Sequence, residues 1–261
     1  MVWSQFYNGE GGRFLVARYF HKDGSLGPLL TLGPDRGDRA AVAVDRRGGA
    51  VVAWDTVDSR VDARRIAPGR ISPLRTIAAA VSGSRIGYGV PSVGVDKDGD
   101  AVICFVRAVS FGAPGSAQVW ARRWSRAGRL GKVLHLSGDA HSVSIVDNAF
   151  QDVVAGDFAG DSMALWTQDG SSGRTLVFGR RISATGTLGP ITYLGVGETP
   201  AVTFDDNGDG LAAWQSPGPI TGPNAVYGRR ISRSGRFGTK TLLSSNGLRA
   251  DIASTPWDTS P

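Results

Sequence analysis

The chain has 261 residues, 41% hydrophobic and 20% charged, the balance of a folded globular protein and not of a disordered one. Its formal charge is +6, but the basic residues are scattered and form no stripe, which argues against a nucleic-acid surface. A single cysteine, Cys104, excludes an intrachain disulfide and a cysteine-built metal cluster, and no apolar run of about 18 residues is present to span a membrane as a helix.

Taken from the N-terminus, Val2-Trp3 reads as a strand ending in an aromatic. Ala17 to Pro28 (ARYFHKDGSLGP) reads as an arginine-bearing strand followed by a glycine turn. Residues 40–77 then spell out a whole unit of four strands. Val42-Ala43-Val44 is its first strand, Asp45-Arg46-Arg47-Gly48 a type I turn with glycine in the left-handed position, and Ala50 to Trp54 its second strand. Val61 to Ile66 is its third strand, and a fourth follows the turn at Gly69.

The same unit returns over residues 91–136, with Asp96, Gly99, Phe105, Arg122 and Gly128 at the matching places. It returns over 152–194 with Asp157, Gly160, Trp166, Arg180 and Gly186, and over 200–243 with Asp205, Gly208, Trp214, Arg229 and Gly235. Ala250-Asp251-Ile252-Ala253-Ser254 reads as one more first strand, which completes the N-terminal half-unit. No unit carries a helical period.

Four antiparallel strands in about 40–50 residues, written repeatedly, describe the blades of a β-propeller. The expectation is a single all-β domain over 1–261, a five-bladed β-propeller with four antiparallel strands per blade. The ring is expected to close with strands from both termini. Blade 1 is split between 1–32 and 250–255, and the others span about 40–77, 91–136, 152–194 and 200–243. The chain resembles bacterial propeller repeat proteins with the pattern V-x-V-D-x-x-G-x5-W followed by V-x-A-R-R-I-x3-G-x-L-G-P. That resemblance speaks for architecture and says little about activity.

The recurring arginines 18, 64, 122, 180 and 229 are read as structural, paired with hairpin aspartates or stacked on the second-strand aromatics. Asp96, Asp98 and Asp100, with Asp205, Asn207 and Asp209, resemble the calcium hairpins of integrin-type propellers. They are weak calcium candidates, because Asp45-Arg46-Arg47-Gly48 makes the same turn with two arginines and no EF-hand spacing is present. The loops differ from the sialidase Asp-box, in which the aromatic follows the glycine more closely. No metal and no cofactor is expected.

Short, near-constant turns occupy one face of the predicted ring. The other face carries the variable connections, second-to-third and fourth-to-first, and repeat proteins place ligands on such a face. There Asp38 and Glu198 share one register, seven residues ahead of Asp45 and Asp205, and Tyr88, Phe150 and His141 lie nearby in the sequence. Rings that stack on sugar faces and polar groups that take hydroxyls suit a glycan. The leading expectation is a non-catalytic binding module for a glycan or a protein surface, with Asp38, Tyr88, Phe150, Glu198 and His141 as ligand-binding residues. The alternative is a glycoside-hydrolase-like or sialidase-like enzyme with Asp38 and Glu198 as its carboxylates. A structural surface repeat without a small-molecule ligand is the third reading. A monomer is expected, extracellular or at the cell surface, although no signal peptide is visible at the N-terminus.

Overall fold

The structure is a computed structural model that describes residues 1–6, 13–21, 23–34, 39–80, 86–108, 117–138, 153–156, 160–170, 173–217 and 224–247. Among these residues there are strands and turns and no helix long and apolar enough to cross a membrane. The strands are β1 (Val2–Phe6), β2 (Arg13–Ala17), β3 (Leu30–Pro34), β4 (Ala40–Val44), β5 (Ala50–Asp55), β6 (Val61–Ala67), β7 (Arg70–Ile71), β8 (Arg75–Ala78), β9 (Gly87–Val95) and β10 (Ala101–Ala108). They continue with β11 (Ala117–Trp124), β12 (Leu130–His135), β13 (Val153–Gly156), β14 (Ser162–Asp169), β15 (Thr175–Ile182), β16 (Thr192–Val196), β17 (Glu198–Phe204), β18 (Gly210–Ser216), β19 (Ala225–Ile231) and β20 (Thr241–Ser244).

They make five antiparallel sheets in chain order: β1-β2-β3, then β4-β5-β6 with β7 and β8 both on β6, then β9 to β12, β13 to β16, and β17 to β20. The first strands of successive sheets touch, β4 with β9, β9 with β13 and β13 with β17. The architecture is therefore all-β and propeller-like, with five sheets for the five expected blades. Residues 250–254, expected as the first strand of the first sheet, lie outside the described residues, and β1 pairs among the described strands with β2 alone.

Four apolar cores lie between successive sheets. Because side chains alternate along a strand, β5 serves two cores at once. Ala50, Val52 and Trp54 pack towards Leu15, Ala17 and Leu32 of the first sheet, while Val51 and Ala53 pack towards Ile103 and Phe105 of the third. The repeated second-strand aromatics Trp54, Phe105, Trp166 and Trp214 are fully buried in these layers. Each contributes about 2–3 kcal/mol of apolar burial. In the first sheet the equivalent Trp3 is 38% exposed.

The turns form as the sequence predicts. In Asp45–Gly49, Asp96–Asp100 and Asp205–Asp209 the first amide donates to the fifth carbonyl and the glycine amide to the first carbonyl. Gly48, Gly99 and Gly208 sit at φ of 77°, 84° and 82°, which a side chain would disfavour. The aspartate accepts from the two amides that follow: Asp45 from Arg47 and Gly49, Asp96 from Asp98 and Asp100, and Asp205 from Asn207 and Asp209. Asp100 and Asp209 then accept the amides of Arg126 and Arg233, which ties each inner turn to the outer turn of its own sheet.

Of the calcium candidates, Asp96, Asp100, Asp205 and Asp209 thus turn carboxylate oxygens to backbone amides, and Asp98 accepts from the Lys97 ammonium. Burial raises the Asp96 pKa, and nearby Asp100 adds to that, against the amide bonds and Arg123. No cluster of three or more metal-ligating side chains occurs among the described residues.

Three of the five recurring arginines, Arg64, Arg122 and Arg180, take partners other than the hairpin aspartates and aromatics expected. Arg64 donates to the carbonyls of Leu32 and Ser72, Arg122 to Ile77 and Gly131, and Arg180 to Leu136 and Gly189. Each guanidinium joins the fourth strand of the preceding sheet to the entry of its own fourth strand. The hairpin carboxylates are already occupied by amides, and the planar fork of arginine fits two divergent carbonyls. The next residue points the other way. Arg65 donates to the carbonyls of Gly99 and Trp124, and Arg123 to that of Gly160, each in the following sheet. Arg64-Arg65 and Arg122-Arg123 are therefore two-way staples between sheets, whereas Arg181 pairs with Asp161 of its own sheet.

Candidate functional site

The face opposite the hairpin turns gathers the ends of the second strands, the starts of the third, and the starts of the inner first strands. Three of the expected site residues, Asp38, His141 and Phe150, lie outside the described residues. Tyr88 and Glu198 are described. Both were expected just ahead of an inner strand, and both instead belong to one, Tyr88 to β9 and Glu198 to β17. These two strands begin earlier than their sequence suggests because each absorbs a proline in a bulge.

The two bulges have the same construction. In β17 Glu198 opposes Gln215 and Ala201 opposes Ala213, so Thr199 and Pro200 together face Trp214. In β9 Gly89 opposes Val106 and Ser92 opposes Cys104, so Val90 and Pro91 together face Phe105. Proline has no amide to give to a ladder, and a bulge is where a sheet tolerates it. The residue before each proline is left-handed: Val90 at φ 55° and Thr199 at φ 50°. For β-branched residues this is a true outlier, at a cost of about 1–3 kcal/mol each. Bulges of this kind redirect side chains and recur beside functional sites.

The bulge in β17 directly follows the residue that could serve as an acid or base. A single residue, Gly197, joins β16 to β17. Its amide donates to the Thr175 carbonyl, which holds the connection against β15. Glu198 is half-buried at the head of the inner strand, between this glycine and the strained Thr199. The Thr199 hydroxyl is buried and has no hydrogen-bond partner.

Around Tyr88 the third sheet presents one continuous polar and aromatic row. Tyr88 packs edge-on to Phe105 with ring centres 5.8 Å apart. Arg107 opposes Tyr88 on one side and Gln118 on the other, and its guanidinium donates to the Gln118 side chain. It also lies 5.6 Å from the ring of Trp120, which stacks on His135 at 4.3 Å. Trp166–Phe178 and Trp214–Tyr227 stack in the same places of the fourth and fifth sheets, so the ladder itself belongs to the scaffold. What is particular to the third sheet is Arg107 and Gln118 at its end. Sequence reading missed the bulges. The signal was present as Val90-Pro91 and Thr199-Pro200 in one register, a coincidence in two units that strand propensity alone does not explain.

This fold and the position of its inner-strand carboxylate define the class: a β-propeller-like protein with a polar and aromatic loop face. No protein-family model matches the sequence, and no curated protein matches it. Solved structures do match in fold. A Trypanosoma rangeli sialidase superposes with a TM-score of 0.56 at 10% identity, over 88% of this chain and 41% of the sialidase chain. A Hadza microbial sialidase does so with a TM-score of 0.51 at 13% identity, over 79% and 46%. An α-L-arabinofuranosidase of Fusarium graminearum, solved with arabinobiose, gives a TM-score of 0.50 at 11% identity, over 96% and 78%. The chain spans less than half the length of these sialidase chains. At such identities the likeness is one of fold. It nevertheless corrects the leading expectation of a non-catalytic binding module, since the structures that share this fold are glycoside hydrolases and not binding modules.

Proposed function

We propose that the protein is a glycoside-hydrolase-like enzyme whose site lies on the loop face, around the heads of the inner strands. The observation that carries this reading is Glu198, a half-buried carboxylate held between a one-residue connection and a strained bulge. It does so on a fold whose solved relatives include a sialidase with sialic acid and an arabinofuranosidase with arabinobiose. Glycosidic cleavage uses two carboxylates flanking the bond. Glu198 is one of them, and Asp38, which shares its register in the second unit, is the other. Tyr88, Phe150 and His141 complete the sugar contacts, with Tyr88 supported on Phe105. The test is hydrolysis of a nitrophenyl sialoside and a nitrophenyl α-L-arabinofuranoside. Release of nitrophenol from one of the two is expected, and none from either at micromolar enzyme would remove the proposal.

The reading needs a ring, and we infer that residues 250–254 supply the missing first strand of the first sheet. Several surfaces that are buried elsewhere in the molecule stand open around that place. Leu243 is 51% exposed, whereas its equivalents Leu32, Ile77, Leu136 and Leu194 are buried. Trp3 is open beside three buried tryptophans and Phe105, and Val42 and Val44 of β4 are exposed where Val93 of β9 is buried. Arg46 of the second sheet meanwhile forms an ion pair with Asp206 of the fifth, so the inner turns of these two sheets meet. A strand placed between β1 and β4 would extend the first sheet inward from β1 and cover Val42 and Val44. Deleting residues 250–261 is expected to lower the melting temperature by about 10 °C, since burial of two or three apolar side chains corresponds to several kcal/mol. An unchanged melting curve would refute the closure.

A further inference from the structure

The twin bulges in β9 and β17 differ in one chemical respect. Val90 and Thr199 have the same branched shape and nearly the same left-handed backbone, and each precedes a proline. Valine satisfies this position in the third sheet. The fold therefore does not need a hydroxyl there. In the fifth sheet a hydroxyl is nevertheless present, and it is buried without a hydrogen-bond partner. An unsatisfied buried polar group is a cost that native structures keep low and that calls for an explanation. Its neighbour in the chain supplies one. Residue 198 is a carboxylate, whereas the matching residue beside Val90 is Gly89, which has no side chain for a hydroxyl to hold.

We propose that Thr199 is a positioning residue: its hydroxyl donates to the Glu198 carboxylate when a sugar occupies the mouth and excludes water from that carboxylate. In the open site the carboxylate is half-buried and has water at hand. Once a ligand displaces that water, the adjacent hydroxyl is the donor that can replace it without moving the strand. The strained bulge fixes the backbone around both residues. This inference rests on the proposed role of Glu198, and the experiment separates the two.

Thr199→Val copies the residue that the third sheet already uses. It is expected to keep or raise the melting temperature. Turnover of the nitrophenyl glycoside should fall about tenfold in kcat with KM within twofold, a loss felt in the transition state and not in binding. Thr199→Ser, which keeps the hydroxyl, should restore most of it. A second readout needs no turnover. The chain has only two glutamates, Glu10 and Glu198, so a sample labelled with carbon-13 at the glutamate carboxyl gives two resonances, assigned by Glu198→Gln. Free sialic acid or L-arabinose should move the Glu198 resonance in the wild type and much less in Thr199→Val. Wild-type kcat and a wild-type resonance response in Thr199→Val would overturn the role of the hydroxyl. If neither glycoside is cleaved but the resonance responds in the wild type and not in the variant, the hydroxyl proposal stands and the hydrolase reading falls. If sugar moves the resonance in neither protein and neither glycoside is cleaved, both fall.

Discussion

Glu198→Gln is expected to lower turnover of the nitrophenyl glycoside by a factor of about 10²–10⁴ and to leave the melting temperature in place. The size follows from what a positioned acid or base contributes to catalysis. The specificity follows from the local structure. Glutamine has the same length and shape, it can sit opposite Gln215 as glutamate does, and it leaves Gly197, Thr199 and Pro200 untouched. Only the ionisable oxygen is lost. Two leaving groups resolve the role. If Glu198 protonates the departing oxygen, the loss should be large for an alkyl glycoside and small for a dinitrophenyl one, which leaves as a stable phenolate. If Glu198 instead attacks the sugar or activates water, both substrates should suffer alike. Turnover within threefold of wild type on both would take Glu198 out of the site.

The repeat was legible in the sequence because its determinants are local. An aspartate that accepts two amides and a glycine that turns left-handed act within five residues, so Asp45–Gly49 and Asp205–Asp209 could be read directly. The second-strand aromatics were legible because side chains alternate between two cores along a strand of fixed length, which leaves them one place to go. Arg64, Arg122 and Arg180 were recognised as structural and assigned the wrong partners. Their acceptors, such as Leu32 for Arg64 and Ile77 for Arg122, lie in the preceding sheet, more than 30 residues away in the chain. Carbonyl acceptors leave no trace in residue identity.

The heads of the inner strands were misread for a related reason. A β-branched residue before proline normally reads as extended chain. Val90 and Thr199 are left-handed because a bulge opposite Phe105 and Trp214 demands it, and that demand comes from the neighbouring strand. Variable loops on one face suggested a ligand. They carry no information on whether the ligand is held or cut, and there the fold of the solved hydrolases altered the reading. The register that links Asp38 to Glu198 stays a sequence argument, since Asp38 lies outside the described residues.

Gly197→Ala is expected to damage both fold and site, and the two effects can be measured apart. A Cβ at this residue would collide with the carbonyl oxygen of Gln215 and with Cδ1 of Trp214. Neither neighbour can yield cheaply. The carbonyl belongs to β18, and Trp214 is fully buried in the core between the fourth and fifth sheets. The connection cannot move outward either, because it is one residue long and its amide is bonded to Thr175. Overpacking of this kind costs about 3 kcal/mol. In a chain of this size that corresponds to a melting temperature lower by roughly 6–12 °C. The head of β17 is the part most able to give way, so the strain should fall on Glu198. Activity at a temperature where the variant is still folded should therefore drop at least tenfold, more than the folded fraction explains. Gly173→Ala is the control, since a Cβ there meets nothing within 4 Å although the backbone is left-handed at φ 68°. It should lose some stability and keep its turnover per folded molecule. A Gly197→Ala protein with wild-type melting and wild-type kcat would mean that the connection is looser than its contacts imply, and that Glu198 is not held in place by it.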